Sequence, residues 1–334
     1  MSELYPIKFK PVYKEKVWGG ERLNKIIGKK VNGNHIGESW ELSGIAGSVS
    51  VVSNGFLTGN DLHEIIEVYM GDILGERVFE KFGNEFPLLL KFIDANQVLS
   101  VQVHPDDYMA MEKHESFGKS ELWYIVDAAP DAYVYTGFNR EVSKIRVAEH
   151  IKNNTIPEIL NKEIAKNGDS FFIPAGRIHA TGPGVLFAEI QQSSDITYRV
   201  YDWNRKGIDG KLRDLHINAA LEAIDYKQPR NFRNVYENKI EQPIEIGHCS
   251  YFVVNKLIVK QSYTAEYNGI DSFVAYMCLK GDAILLCDNG TKETICMGET
   301  VLIPAVIENV RIQCQNGVEL LEIYIPETEN EENL

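Results

Sequence analysis

The chain has 334 residues, 44% of them hydrophobic and 25% charged, which fits a globular protein of about two domains at roughly 150 residues each. Its formal net charge of −14, without any basic run, excludes nucleic acid and an anionic membrane surface as natural partners. No stretch approaches the ~20 apolar residues of a membrane-spanning helix. The N-terminal MSELYPIKFK lacks a secretory pattern, and five cysteines without a C-x-x-C pair read as reduced thiols, so the expected location is the cytoplasm.

Taken in chain order, ESWELSG (38–44) and SVSVVS (48–53) alternate as short strands do. Between Asp61 and Phe82 the apolar residues recur at three- and four-residue intervals, which predicts helix interrupted near Gly71 and Gly75. FPLLLKFIDA (86–95) reads as a buried strand, followed by strands in VLSVQVH (98–104) and GKSELWYIVDA (118–128). Residues 141–166 read as helical, in SKIRVAEHI and again in TIPEILNKEIA, with Thr155 as N-cap and Pro157 in the first turn. Strands return in FFIP and VLFAEIQQ, and RDLHINAALEAID (213–225) reads as a helix. Residues 226–245 form a polar linker. From Tyr251 to Ile325 short strands alternate with Gly, Asn and Asp turns, and the acidic tail ETENEENL is expected to fray.

One segment occurs twice. GDSFFIPAGRIHA (168–180) and GETVLIPAVIENV (298–310) share a glycine, an acidic residue, an apolar run and a proline at the same spacing. Gly176 and His179 of the first copy become Val306 and Asn309 in the second. A duplicated fold that keeps a histidine in one copy implies one working site, around His179, and one supporting copy. Short strands in two related halves predict a mainly β protein of two jelly-roll barrels with helical insertions in the N-terminal half. The expected division is a catalytic domain over 1–235 and a C-terminal domain over 236–334 without a metal site.

Two further blocks carry ligand types. Gln102 and His104 lie two apart on a strand and so share a face, and Glu121 lies on a strand expected to neighbour it. With His179 they form a set of two imidazoles, one carboxylate and one amide oxygen. That set suits Zn²⁺ with an open position, although iron or manganese could use the same donors. Each residue alone is more simply packing, a solvated amide or an ion pair with Lys119; together they favour a metal.

These blocks resemble a known family. Gly168-x5-Pro174-x-Gly176-x2-His179 fits the second metal-binding motif of the cupin superfamily. The set SVQVHPDD, GKSELWY, IPAGRIHA and EIQQSSDITYRVYDW, with VWGGERL and GESWELS upstream, is similar to type I mannose-6-phosphate isomerase in its short bacterial form. The resemblance runs in order from Lys16 to Trp203. It implies a zinc-dependent interconversion of mannose 6-phosphate and fructose 6-phosphate, with one Zn²⁺ per chain and a phosphorylated hexose as the partner. It places the zinc ligands on Gln102, His104, Glu121 and His179, with Gln102 the weakest, and the active-site arginine on Arg199. It places substrate contacts on Ser100 and Lys119.

Aldose–ketose isomerisation moves a hydrogen between C2 and C1 through a cis-enediol. A divalent cation can polarise the carbonyl, and a guanidinium can stabilise the enediolate without losing its own proton. Arg199 takes that second role. Glu38 is the first candidate for the base, because burial beside Trp40 would raise its pKa towards neutrality, with a strand carboxylate in an ion pair as an equal reading of it; Asp195 and a hydroxide on the zinc are the alternatives. Lys91 within its apolar run is read as a satisfied ion pair ahead of an anion contact. Lys119, two residues before Glu121, is the better phosphate candidate; Arg177 reads equally as a surface residue or a substrate contact, and Trp18 as core ahead of pocket wall. The rival readings are an iron dioxygenase, which usually presents three histidines, and a non-catalytic sugar-binding cupin, which would not need all four ligands and Arg199.

Overall fold

The long apolar runs become strands covered on both faces. In the computed structural model, which describes residues 4–31, 33 and 35–327, Leu88–Ala95 and Val185–Gln192 are buried at every position and pair antiparallel. They are central to a six-stranded sheet whose order is Ser170–Ile173, Glu121–Ala128, Val185–Gln192, Leu88–Ala95, Ile36–Ser43 and Val12–Gly20. A five-stranded sheet runs Tyr198–Tyr201, Val101–Val103, His179–Thr181, Tyr133–Phe138 and Leu160–Ile164. Trp123, Phe171 and Phe187 from the first sheet share a core with Val134 from the second, so the two sheets face each other.

Chain proximity divides the protein into two compact units. One consists of Tyr13–Trp40 and Leu88–Asn234; the other consists of the segment up to Val12, Glu41–Pro87 and the chain from Val235 onward. The sequence reading assigns 1–235 as a whole to the catalytic segment, whereas the segment up to Val12 and Glu41–Pro87 group with the C-terminal strands. That second unit is built on a ten-stranded sheet with Val274–Cys287 at its middle and a core that includes Tyr276, Leu285, Ile303 and Leu320. The protein is thus mainly β, with antiparallel sheets.

The two copies of the repeated segment fold alike. Each is a strand, Ser170–Ile173 or Thr300–Ile303, then a proline turn, then a strand beginning at His179 or Asn309. The turn closes with the same bond in both, Arg177 N to Pro174 O and Ile307 N to Pro304 O, each 3.0 Å. Gly168 and Gly298 both take positive φ, 89° and 82°, at the turn that starts the copy.

Helices form where the spacing places them at Leu62–Tyr69, Gly71–Leu74 and Glu76–Phe82. Asp61 and Glu64 make a reciprocal capping box on the first. The last break falls at Gly75 with φ 90°, where a Cβ would meet Asp271 O at 2.5 Å. TIPEILNKEIA is a correction. Only Ile156–Ile159 is helical, as a 3-10 turn, and Leu160–Ile164 is a strand paired with Tyr133–Phe138. Thr155 does not cap; its hydroxyl meets His150 Nδ1 at 2.8 Å. The alternation of Leu160, Lys162 and Ile164 with Asn161 and Glu163 suits a sheet edge, and that pairing overrides helix propensity. Among the described residues no helix is long and apolar enough to cross a membrane. The acidic tail from Thr328 lies outside the described residues.

Candidate active site

The five-stranded sheet sets its functional residues in a row. Val101 and Val103 point into the core, which leaves Gln102 on the opposite face. Gln102 stands in register with His179 on one side and with Arg199 on the other. His104 follows the end of its strand, and the six-stranded sheet brings Glu121 towards it. His104, Glu121 and His179 are fully buried, and each offers a ligand atom within 4.8 Å of the others.

Their hydrogen bonds fix which atoms face inward. His104 Nδ1 lies 2.8 Å from Ile196 O, and His179 Nδ1 lies 2.8 Å from Arg177 O. A carbonyl can only accept, so each Nδ1 carries the proton and each Nε2 presents a lone pair. His179 Nε2 approaches Glu121 Oε1 at 3.2 Å, and His104 Nε2 approaches Glu121 Oε2 at 3.6 Å. Neither His104 Nε2 nor either Glu121 oxygen has a hydrogen-bond partner, although all three are buried. Such orphaned acceptors are costly unless a cation satisfies them. The donors fit a divalent metal. Gln102 lies beside the three, with its Nε2 3.2 Å from His179 Nε2 and its Oε1 accepting from the Ser100 hydroxyl at 3.4 Å.

Charge reinforces this arrangement. Burial brings His179 down to about 4, and burial with the Lys119 charge takes His104 well below the usual imidazole range, so both rings are neutral. Burial, followed by the charge of Glu189, pushes Glu121 up to about 8, a direction that a bound cation reverses. Lys119 Nζ lies 3.5 Å from Glu121 Oε2; burial and the like charge of Lys91 lower its pKa.

The three donors adjoin a cavity of about 320 Å³ lined by Ser100, Gln102, Lys119, Asp195 and Arg199, among others. Trp18 serves as both core and cavity wall, while Arg177 is turned away to bond Phe172 O at 2.8 Å. Lys91 is the ion pair expected of it, bonded to Glu189 at 2.8 Å and Gln191 at 2.5 Å. Glu38 also lines the cavity, but its pKa moves opposite to the expectation. Burial would raise it; the charges of Lys16 and Lys91, with the Trp40 indole donating at 2.7 Å, win and hold it at about 2.

Sequence reading missed Lys16, Glu189, Trp123 and Arg213. Glu189 receives the Trp123 indole at 3.0 Å, and Trp123 packs edge-on to His179 with ring centres 5.3 Å apart. A lone acid in the apolar run VLFAEIQQ was its signal; the other three carry none without the fold.

A family model described as phosphomannose isomerase type I, catalytic domain, matches residues 7–143. Mannose-6-phosphate isomerase ManA of Bacillus subtilis (strain 168) is 38% identical over 257 residues, 75% of this chain and 78% of the relative. The probable mannose-6-phosphate isomerase GmuF of the same organism is 33% identical over 307 residues, 90% of this chain and 94% of the relative. Among solved structures, the mannose 6-phosphate isomerase from Bacillus subtilis matches with a TM-score of 0.85 at 30% identity, covering 96% of this chain and 99% of that one. The chain belongs to the type I mannose-6-phosphate isomerase family.

Proposed function

We propose that this chain interconverts mannose 6-phosphate and fructose 6-phosphate in the cavity beside His104, Glu121 and His179, as a cytoplasmic enzyme of two cupin-type jelly-roll barrels. One observation carries the reading: two imidazole Nε2 atoms and a buried carboxylate that accepts no hydrogen bond converge beside a cavity that also holds Lys119 and Arg199. The ligands are His104, Glu121 and His179, with Gln102 able to add its amide oxygen after a flip, and the metal is one Zn²⁺. A divalent cation bound there supplies Lewis acidity towards the sugar's O1 and O2.

The chain's own residues do the rest. Arg199, one strand from Gln102, faces the oxygens on which charge develops and stabilises the enediolate. Lys119, beside Glu121, and Ser100, bonded to Gln102, orient the same end of the sugar. A carboxylate of the cavity moves the proton between C2 and C1. Glu38 is a weak base at a pKa of about 2, with one oxygen 3.0 Å from Lys16 and the other held by Trp40. Asp195 lines the same cavity, and replacing each acid with its amide separates the two. The reading is tested by a coupled assay in which the zinc-loaded chain receives mannose 6-phosphate and fructose 6-phosphate is followed. Steady formation is expected; none from a folded, zinc-loaded protein refutes it.

A further inference from the structure

We propose that Arg213, fixed by the buried carboxylate of Asp202, recognises the phosphate of the substrate, with Asp202 as its positioning residue. The proposal rests on the isomerase reading of the cavity and adds the group that selects a sugar phosphate over a free sugar.

The fold brings Arg213 to the cavity by a reversal of the chain. After Tyr198–Tyr201, Trp203 and Asn204 take left-handed φ of 57° and 52° and turn the backbone around. The Trp203 indole donates to Leu99 O at 2.8 Å, and the Arg205 guanidinium bonds Val98 O, which ties the loop to the segment just before Ser100. On the return, Arg199 NH1 donates to Asp214 O at 2.8 Å, and His216 N donates to Arg199 O at 2.8 Å. Arg213 is therefore held next to Arg199, and both line the cavity.

Asp202 determines how Arg213 is presented. It is 5% exposed and accepts from Arg213 Nε at 2.7 Å and NH2 at 2.5 Å, and from Arg205 NH2 at 2.9 Å. The side-on edge of the guanidinium is thus occupied, which leaves the NH1 end for a ligand. A guanidinium held in this way can fork onto two phosphate oxygens with little further loss of freedom. Three guanidiniums, those of Arg199, Arg205 and Arg213, gather here around the buried carboxylate of Asp202, in a chain of net charge −14, with Asp195 on the cavity wall and the exposed Asp214 as further acids. Buried Arg199 Nε has no hydrogen-bond partner either, a second donor that an anion would satisfy.

Position in the row separates this role from that of Lys119. His179, Gln102 and Arg199 occupy successive strands in register, and Arg213 lies beside Arg199. Lys119, 3.5 Å from Glu121, belongs to the metal end. Three carbons lie between C2 and C6 of the open-chain sugar. A substrate with O1 and O2 at the metal end must therefore carry its phosphate away from Lys119, and the row leads to Arg213.

The test measures binding of inorganic phosphate to the full chain by calorimetry, beside steady-state kinetics on mannose 6-phosphate and on mannose. Arg213→Ala is expected to weaken phosphate binding and raise KM for mannose 6-phosphate by about tenfold or more, with the smaller part of the loss in kcat. Its preference for mannose 6-phosphate over mannose, as a ratio of kcat/KM values, should fall by a similar factor. Asp202→Asn should move the same quantities in the same direction, and Arg213→Lys, which keeps the charge but loses the fork, should fall between Ala and the wild type. Wild-type phosphate affinity and KM in a folded Arg213→Ala or Arg213→Lys protein overturn the proposal, as does a fall in kcat at constant KM. Phosphate binding needs no turnover, so a wild type that binds phosphate through Arg213 yet fails to isomerise sinks the isomerase reading alone.

Discussion

Glu121 Oε1 lies 3.2 Å from His179 Nε2, although Glu121 belongs to the six-stranded sheet and His179 to the five-stranded one. Neither Glu121 oxygen is hydrogen-bonded, and the facing imidazole presents a lone pair. Two acceptors this close repel unless a cation lies between them.

Glu121→Gln should therefore lower zinc affinity by at least about tenfold. The wild type should gain melting temperature with zinc, since saturating a site 100-fold above its Kd adds about 2.7 kcal/mol. The variant should lose most of that gain while its metal-free form still unfolds cooperatively. Thermal scans with zinc and with a chelator decide this; an equal zinc-induced gain in the variant would remove Glu121 from the ligand set.

Arg199→Ala should reduce kcat by about 10²–10³-fold, the usual loss when a preorganised donor to developing negative charge is removed. Bound zinc per chain should stay at the wild-type level. Metal analysis beside the coupled assay checks both; unchanged turnover would end the role assigned to Arg199.

Glu38→Gln should weaken the protein and flatten its acid limb. The folded pKa is about 2 against 4.5 for an unperturbed glutamate, so the unfolded chain binds more protons between those values. Stability accordingly rises with pH across that window and is fully present above it, by on the order of 2–3 kcal/mol. Urea titrations at pH 3 and pH 7 measure the effect. A variant with the wild-type pH dependence would show that Lys16 and Lys91 do not stabilise this carboxylate.

Asp94 runs the other way. Burial pushes it up to about 6 from 3.8, and its Oδ1 is buried without a partner, while Oδ2 accepts from Arg22 N at 2.7 Å. Here the folded chain binds the extra proton, so stability falls as pH rises from about 3.8 to 6 and remains lower above that range. Asp94→Asn keeps an acceptor for Arg22 and removes the charge. It should raise stability at pH 7 by on the order of 2 kcal/mol and gain little at pH 4. A variant no more stable than the wild type at pH 7 contradicts this account.

The repeated segment made much of this architecture legible. Its glycine, proline and strand spacing predict the same strand–turn–strand in both copies, and His179 marks where the copies diverge. His104 and Glu121, which cluster with His179, were legible as candidates because strand alternation is local. The charges on Glu38 were not: a carboxylate beside a tryptophan looks like a raised pKa until Lys16 and Lys91, distant in sequence, arrive across neighbouring strands. Arg213 was hidden for a related reason. It lies in a stretch that reads as helix, whereas the helix begins at Ile217 and the residues before it run beside Arg199. The strand at Leu160–Ile164 likewise depends on a partner strand that local propensity does not see.

The most direct test titrates zinc into metal-free protein and follows fructose 6-phosphate formation from mannose 6-phosphate at each step. Activity should rise from near zero, saturate at one zinc per chain, and fail to appear in the Glu121→Gln protein at the same zinc concentrations. Full activity in the metal-free wild type, or saturation in the variant at the wild-type stoichiometry, would contradict a catalytic metal held by His104, Glu121 and His179.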